Sequence, residues 1–119
     1  MRERFVVEGL SGARTLKGEI AVRGAKNAVL KILPASVLFE DEVPLENVPD
    51  IEDVKRMREL LEALKEDNTV LRKDIAEKFR ASIVLAGPVL ARYGKVEFPF
   101  PGGCVLGERS IDLFLNGFK

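Results

Sequence analysis

The sequence predicts an α+β domain, a layer of sheet covered by helices. Short apolar or alternating segments recur at 5–7, 16–23, 43–48 and 95–100, each too short for a doubly wound sheet. Between them lie apolar or amphipathic stretches of helical length, and Gly or Pro punctuates the junctions. At 119 residues and 46% hydrophobic, the chain can build one small core or one piece of a larger one.

The elements follow in the order strand, strand, helix, strand, helix, helix, strand, helix. Phe5, Val6 and Val7 read as a first strand ending at Gly9. From Leu16 to Arg23, Leu16, Gly18, Ile20 and Val22 alternate with Lys17, Glu19, Ala21 and Arg23, the pattern of a half-buried strand. Gly24 breaks it, and Ala28 to Phe39 is apolar enough for a buried helix, with Pro34 predicting a kink or a late start. Val43 to Val48 is a further short strand. Asp50 and Asp53 stand at capping-box spacing before a helix whose face is Val54, Met57, Leu60, Leu61 and Leu64, running to about Glu66. Thr69 to Leu71 is a strand remnant. Asp74 and Glu77 repeat the capping spacing for a helix through Phe79, Ile83 and Leu90, interrupted at Gly87-Pro88 and closed by Gly94. Lys95 to Phe100 alternates again, and Ser110 caps a last helix from Ile111 to Leu115, stopped by Asn116-Gly117. A strand joined to an apolar helix occurs twice, a weak internal repeat.

Charge and composition narrow the function. Lys+Arg and Asp+Glu balance at 19 each, so no overall field draws nucleic acid or an anionic membrane, and any anion site is local. No segment has the roughly 18 uncharged apolar residues of a membrane span, and Arg2, Glu3 and Arg4 stand where a signal peptide needs an apolar run. One cysteine excludes an intrachain disulfide and fits a reducing compartment, so a cytoplasmic location is expected. With no histidine, imidazole metal sites and histidine acid–base chemistry are excluded, and neither metal nor cofactor is expected.

Four places can do chemistry. In Pro101-Gly102-Gly103-Cys104, two glycines permit a sharp turn and leave amides unshielded, and Arg109 five positions after the thiol favours its thiolate. The same residues also suit a half-buried structural cysteine. Lys26-Asn27, at a strand-to-helix junction, fits either a compact anion site or a solvated lysine with an N-cap asparagine. Arg80 fits either an outward-snorkelling arginine or a bidentate phosphate clamp. Arg109, Ser110, Ile111, Asp112 and Leu113 open the last helix, as a second phosphate site or as an ordinary capped start with a surface Arg/Asp pair.

Together, Gly24-Ala25-Lys26-Asn27-Ala28, Arg80-Ala81-Ser82-Ile83 and Pro101-Gly102-Gly103-Cys104 through Gly107, Arg109, Asp112 and Leu113 closely resemble the UDP-N-acetylglucosamine 1-carboxyvinyltransferase family over nearly the whole chain. The cysteine loop separates this family from the sister enolpyruvylshikimate-phosphate synthases. The resemblance implies a fold of two similar globules (an inverse α/β prism), each made of three small α/β units, with substrates in the cleft between them. It also implies transfer of enolpyruvyl from phosphoenolpyruvate to the 3-hydroxyl of UDP-N-acetylglucosamine, the first committed step of peptidoglycan synthesis. By the same resemblance, Lys26 and Asn27 grip phosphoenolpyruvate, and Cys104 protonates its methylene and can form a covalent thioketal. Arg80 and the run Arg109, Ser110, Ile111, Asp112 and Leu113 contact the sugar nucleotide.

Three departures qualify it. Residues 1–119 correspond to the first quarter to third of the family's length, without the aspartate base and several phosphate-binding arginines. The stretch 64–78 is shorter than the family pattern, as though a strand pair were missing. Lys31 and Pro34 look exchanged. The chain alone is therefore expected not to turn over, and helix faces meant for absent units predict self-association. The alternative is a non-catalytic truncated paralogue that retains partial sugar-nucleotide binding.

Overall fold

A computed structural model describes residues 3–9, 11, 12, 15–102 and 109–119. Among these the chain is helical, with α1 at Lys26–Ala35, α2 at Glu52–Ala63, α3 at Lys73–Ala76, α4 at Ala86–Tyr93 and α5 at Asp112–Gly117. Two 3-10 segments, Ser36–Leu38 and Arg80–Leu85, follow α1 and precede α4.

The predicted strands do not form among the described residues. Phe5, Val6 and Val7 are exposed, and so is every residue from Thr15 to Arg23. The segments 43–48 and 95–100 carry no ladder either. A strand needs a partner for its backbone groups. The described chain supplies one at a single place, a parallel bridge between Val70 and Glu97, where Glu97 donates to Thr69 (2.7 Å) and Leu71 donates to Glu97 (2.9 Å). Of the α+β expectation the described residues thus form the helices, as one helical core with unpaired strand-like segments. The described residues extend over 61 × 35 × 28 Å with a radius of gyration of 18.7 Å. A compact chain of this length scales to about 13.5 Å. The exposed N-terminal arm stretches the difference.

The helices follow the apolar pattern more closely than the capping signals. α2 buries Val54, Met57 and Leu60 as predicted, and ends at Ala63 with Leu64 buried just beyond. Asp50 and Asp53 do not cap it: Asp50 pairs with Lys55 and Asp53 with Lys26. α1 starts earlier than predicted, at Lys26, and ends one residue after Pro34 by tightening into the 3-10 turn. Proline is tolerated there because only the last turn loses a hydrogen bond. Asp74 likewise pairs with Arg72 instead of capping, and the predicted continuous helix breaks at Phe79, which is extended (φ −153°). Pro88 lies in the first turn of α4, where its missing N–H costs little. Gly94 closes α4 in the left-handed region (φ 73°), donating to Leu90.

One main core joins α1, α2, α3 and α4 through Leu30, Leu33, Met57, Leu60, Ile75, Leu85 and Val89. A smaller cluster of Ile83, Ala86 and Ile111 fixes the start of α5 against the second 3-10 segment.

Candidate functional site: a cationic cavity between α1, α2 and the second 3-10 segment

The start of α1 is set by a close approach. A Cβ on Gly24 would overlap the carbonyl of Asn47, itself held at positive φ (53°), so the chain enters α1 tight against the 45–49 loop. Two residues later Lys26 occupies the first helical position and Asn27 the second. A cation is disfavoured at this end of a helix. Asp53, from the first turn of α2, offsets it with an ion pair of 2.5 Å, the carboxylate side chain 26% exposed and the lysine 53%.

Opposite them, Phe79 is buried and turns the chain so that Arg80 begins the 3-10 segment. Ser82 pins that turn. Its buried hydroxyl lies within hydrogen-bond reach of the Ala76 (2.8 Å) and Phe79 (2.9 Å) carbonyls. Arg80 donates from Nη1 to the Arg109 carbonyl (2.8 Å) and from Nη2 to the Ser110 carbonyl (3.2 Å). Two parallel guanidinium bonds to backbone fix the approach of the 109–113 run. Arg56, half-buried on α2, donates to the Lys78 carbonyl (3.0 Å) and pairs with Glu52.

These elements border an open cavity of about 680 Å³. Lys26, Lys31, Arg56, Lys78, Arg80 and Arg109 line it, with Asp53 as the one carboxylate-bearing residue among the described lining and Phe114 on its apolar side. A larger groove of about 740 Å³ lies between α2 and α3, but its Arg58, Lys65, Arg72 and Lys78 are matched by Glu59, Glu62, Glu66 and Asp74. In that groove the Arg72 guanidinium, bonded to Asp74, holds the carboxyl below the usual carboxylate range. Balanced charge attracts no particular ion. The first cavity has the excess positive charge that an anionic substrate needs.

Of the residues singled out from sequence, Lys26, Asn27, Arg80 and Arg109 thus meet at one cavity. Ser110 is exposed beside it, its hydroxyl accepting from the Asp112 N–H (3.0 Å). Asp112 and Leu113 are exposed, whereas Ile111 is 4% exposed and faces the smaller core, which leaves its side chain to packing. α5 has only six residues, so the predicted phosphate site at its N-terminus has little dipole behind it. Cys104, Gly103 and Gly107 lie outside the described residues. Gly102 is described, and its reason is packing: a Cβ there would overlap the backbone of Glu77 at the end of α3.

Lys31, Asp53, Arg56 and Lys78 were missed from sequence. Lys31 is one turn beyond Asn27 and donates to its carbonyl (3.2 Å), a spacing readable once α1 is placed. Asp53 and Arg56 are one turn apart on the polar side of α2, a signal hidden by the capping-box reading. Lys78 carried no signal, because the break at Phe79 decides where it lies.

Residues 10–119 match the EPSP synthase (3-phosphoshikimate 1-carboxyvinyltransferase) family. The chain belongs to that enolpyruvyl transferase family. Among curated proteins it is 44% identical over 134 residues to UDP-N-acetylglucosamine 1-carboxyvinyltransferase 1 of Caldanaerobacter subterraneus subsp. tengcongensis, covering 100% of this chain and 32% of the relative. It is 41% identical over 122 residues to the UDP-N-acetylglucosamine 1-carboxyvinyltransferase of Campylobacter jejuni subsp. doylei (89% of this chain, 29% of the relative). The like-named protein of Nitratiruptor sp. is 36% identical over 126 residues (92% and 30%). The chain therefore spans about three-tenths of the length of the curated relatives it matches. No helix among the described residues is long and apolar enough to cross a membrane.

Proposed function

We propose that this chain is the phosphoenolpyruvate- and sugar-nucleotide-binding part of a UDP-N-acetylglucosamine 1-carboxyvinyltransferase, acting in the cytoplasm in peptidoglycan synthesis, and so in cell shape and division. The observation that carries the proposal is the convergence of Lys26, Asn27, Arg80 and Arg109, distant in sequence, on one cavity with excess positive charge. Phosphoenolpyruvate and a nucleoside diphosphate sugar are both polyanions. Lys26 and Asn27 hold the phosphoenolpyruvate, and Arg80 with the 109–113 run meets the sugar nucleotide.

The reaction adds the sugar 3-hydroxyl to C2 of phosphoenolpyruvate while C3 takes a proton, the role assigned to Cys104. The tetrahedral adduct then loses phosphate from C2 and a proton from C3, restoring the double bond. Cations around the leaving phosphate stabilise the charge that develops there. No carboxylate among the described lining residues is free of a cation to act as base on the sugar hydroxyl, since Asp53 is paired with Lys26. Turnover consequently needs further residues, and the 119 residues alone bind without catalysing. The alignment of 134 residues with the Caldanaerobacter relative is longer than the chain itself, so the chain is internally shortened relative to it, and we assign the shortening to 64–78 from the family pattern. Exposed Ile32, Leu38, Phe39, Leu113 and the N-terminal arm support self-association.

A non-catalytic paralogue with residual nucleotide binding is the second reading, favoured by the engagement of Arg80 with backbone carbonyls. Intact-mass spectrometry after treatment with fosfomycin, a phosphonate epoxide, tests the proposal. A single adduct on Cys104 that forms faster with UDP-N-acetylglucosamine supports an assembled site. Labelling indifferent to the nucleotide, together with no nucleotide binding by calorimetry, overturns it. Phosphate release from the two substrates by the 119 residues alone would refute the statement that they do not turn over.

A further inference from the structure

We infer that Arg56, which no motif marks, is a positioning residue for Arg80, holding the nucleotide-facing side of the cavity in register with Lys26. The inference rests on the ligand-binding reading above and deepens it by naming what ties the two sides together. Asp53 and Arg56 stand one turn apart on α2 and reach to different elements. Asp53 pairs with Lys26 at the start of α1, and Arg56 donates from Nη1 to the Lys78 carbonyl (3.0 Å), just ahead of the second 3-10 segment. One helix thus ties down both flanks of the cavity.

The backbone at Phe79 explains why a bond to that one carbonyl matters. Phe79 is extended (φ −153°, ψ 144°) between α3 and the 3-10 segment, so the peptide groups on its two sides set the direction in which the chain enters Arg80. The carbonyl of Phe79 itself accepts from the Ser82 hydroxyl (2.9 Å). That bond spans three residues and shapes the turn from within. The preceding carbonyl, of Lys78, accepts from Arg56 on another helix, 22 positions earlier in the chain, which places the turn against α2. Arg80 carries the placement onward through its bonds to the Arg109 and Ser110 carbonyls. An arginine suits this task because its planar fork serves two acceptors at once. Nη2 meets Glu52 on the same helix (3.3 Å) while Nη1 crosses to Lys78. The Arg56 side chain is 26% exposed, against 53–77% for the other basic partners in ion pairs among the described residues, so its bonds are the least diluted by water.

Amide hydrogen exchange followed by NMR in the full 119-residue chain tests the link without any ligand. Loosening Arg80 frees the 109–113 run, so the Phe114 and Leu115 amides, which donate to the Ile111 carbonyl, should exchange about fivefold faster in Arg56→Met. Arg80→Met should do the same, and the double variant R56M/R80M no more, because one residue acts through the other. The amides of Leu64 and Gly94, which close α2 and α4, should keep their original rates. Calorimetry with UDP-N-acetylglucosamine should repeat the pattern, with binding about fivefold weaker in R56M and no further loss when that change is added to R80M. Arg56→Lys, which keeps the charge but not the fork, should resemble R56M in both measurements. Unchanged exchange at Phe114 and Leu115 overturns the positioning role. Faster exchange at Leu64 and Gly94 as well also overturns it, since it marks general loosening of the fold. Additive losses of affinity, or R56K behaving as the unaltered chain does, overturn it in favour of a direct pull of the Arg56 charge on the ligand. An unaltered chain that binds no nucleotide overturns the ligand-binding reading instead, and the exchange rates still judge the link between Arg56 and Arg80.

Discussion

Replacing Gly102 with alanine should destabilise the whole domain, for a reason that its sequence context conceals. The added Cβ would come within 3.0 Å of both the carbonyl oxygen and the carbonyl carbon of Glu77, a separation that real Cβ atoms essentially never show. These are backbone atoms at the end of α3, where Glu77 itself donates to Lys73 (3.1 Å), so no flexible side chain can give way. Pro101 next to it is buried, which stops the segment from swinging outward. Overpacking against backbone of this kind costs about 1–3 kcal/mol, and the upper end applies because both sides are held. Total stability for a chain of this length is about 6–18 kcal/mol. At about 4 °C per kcal/mol, the midpoint should fall by roughly 12 °C. Circular dichroism melts of G102A beside G9A give the measurement, since a Cβ at Gly9 meets nothing within 4 Å and should shift the midpoint by less than about 2 °C. If G102A melts together with G9A, the close approach to Glu77 is wrong, and the glycine serves only the turn.

The remaining predictions concern the core, the cavity and pH. Met57→Ala should lower stability by about 2–5 kcal/mol in a urea titration, because Met57 is fully buried where α2 meets the main core. Asp53→Asn should tighten binding of inorganic phosphate about two- to fivefold by calorimetry, since it frees Lys26 from a partly exposed ion pair of modest strength. Weaker binding would instead mean that Asp53 holds Lys26 in place. The pH dependence has a definite sign. The carboxyl of Asp74 is lowered by its bond to Arg72, so its contribution to stability is present above the usual carboxylate range and is lost as pH falls through the lowered value. Asp74→Asn should therefore lower the melting temperature slightly near neutrality, with the difference vanishing at low pH, so that the acid limb is flatter. An unchanged acid limb would count against the pair.

The family, the apolar face of α2, the left-handed stop at Gly94 and the identity of four cavity residues were legible in the sequence. Each depends on local pattern: helical spacing of apolar residues, the freedom of glycine at positive φ, or a short motif carried in consecutive positions. Only the tertiary structure decided the rest. Asp53 has capping spacing, yet it reaches Lys26 because α1 packs across the start of α2, and a competing cation outweighs a backbone amide. The alternating segments read as strands but form none among the described residues, because a strand is made by its neighbour and alternation specifies only the two faces. Arg80 could have pointed to solvent. It clasps the Arg109 and Ser110 carbonyls because Ile111 is buried against Ile83 and Ala86, a contact between positions some thirty residues apart that no local pattern encodes.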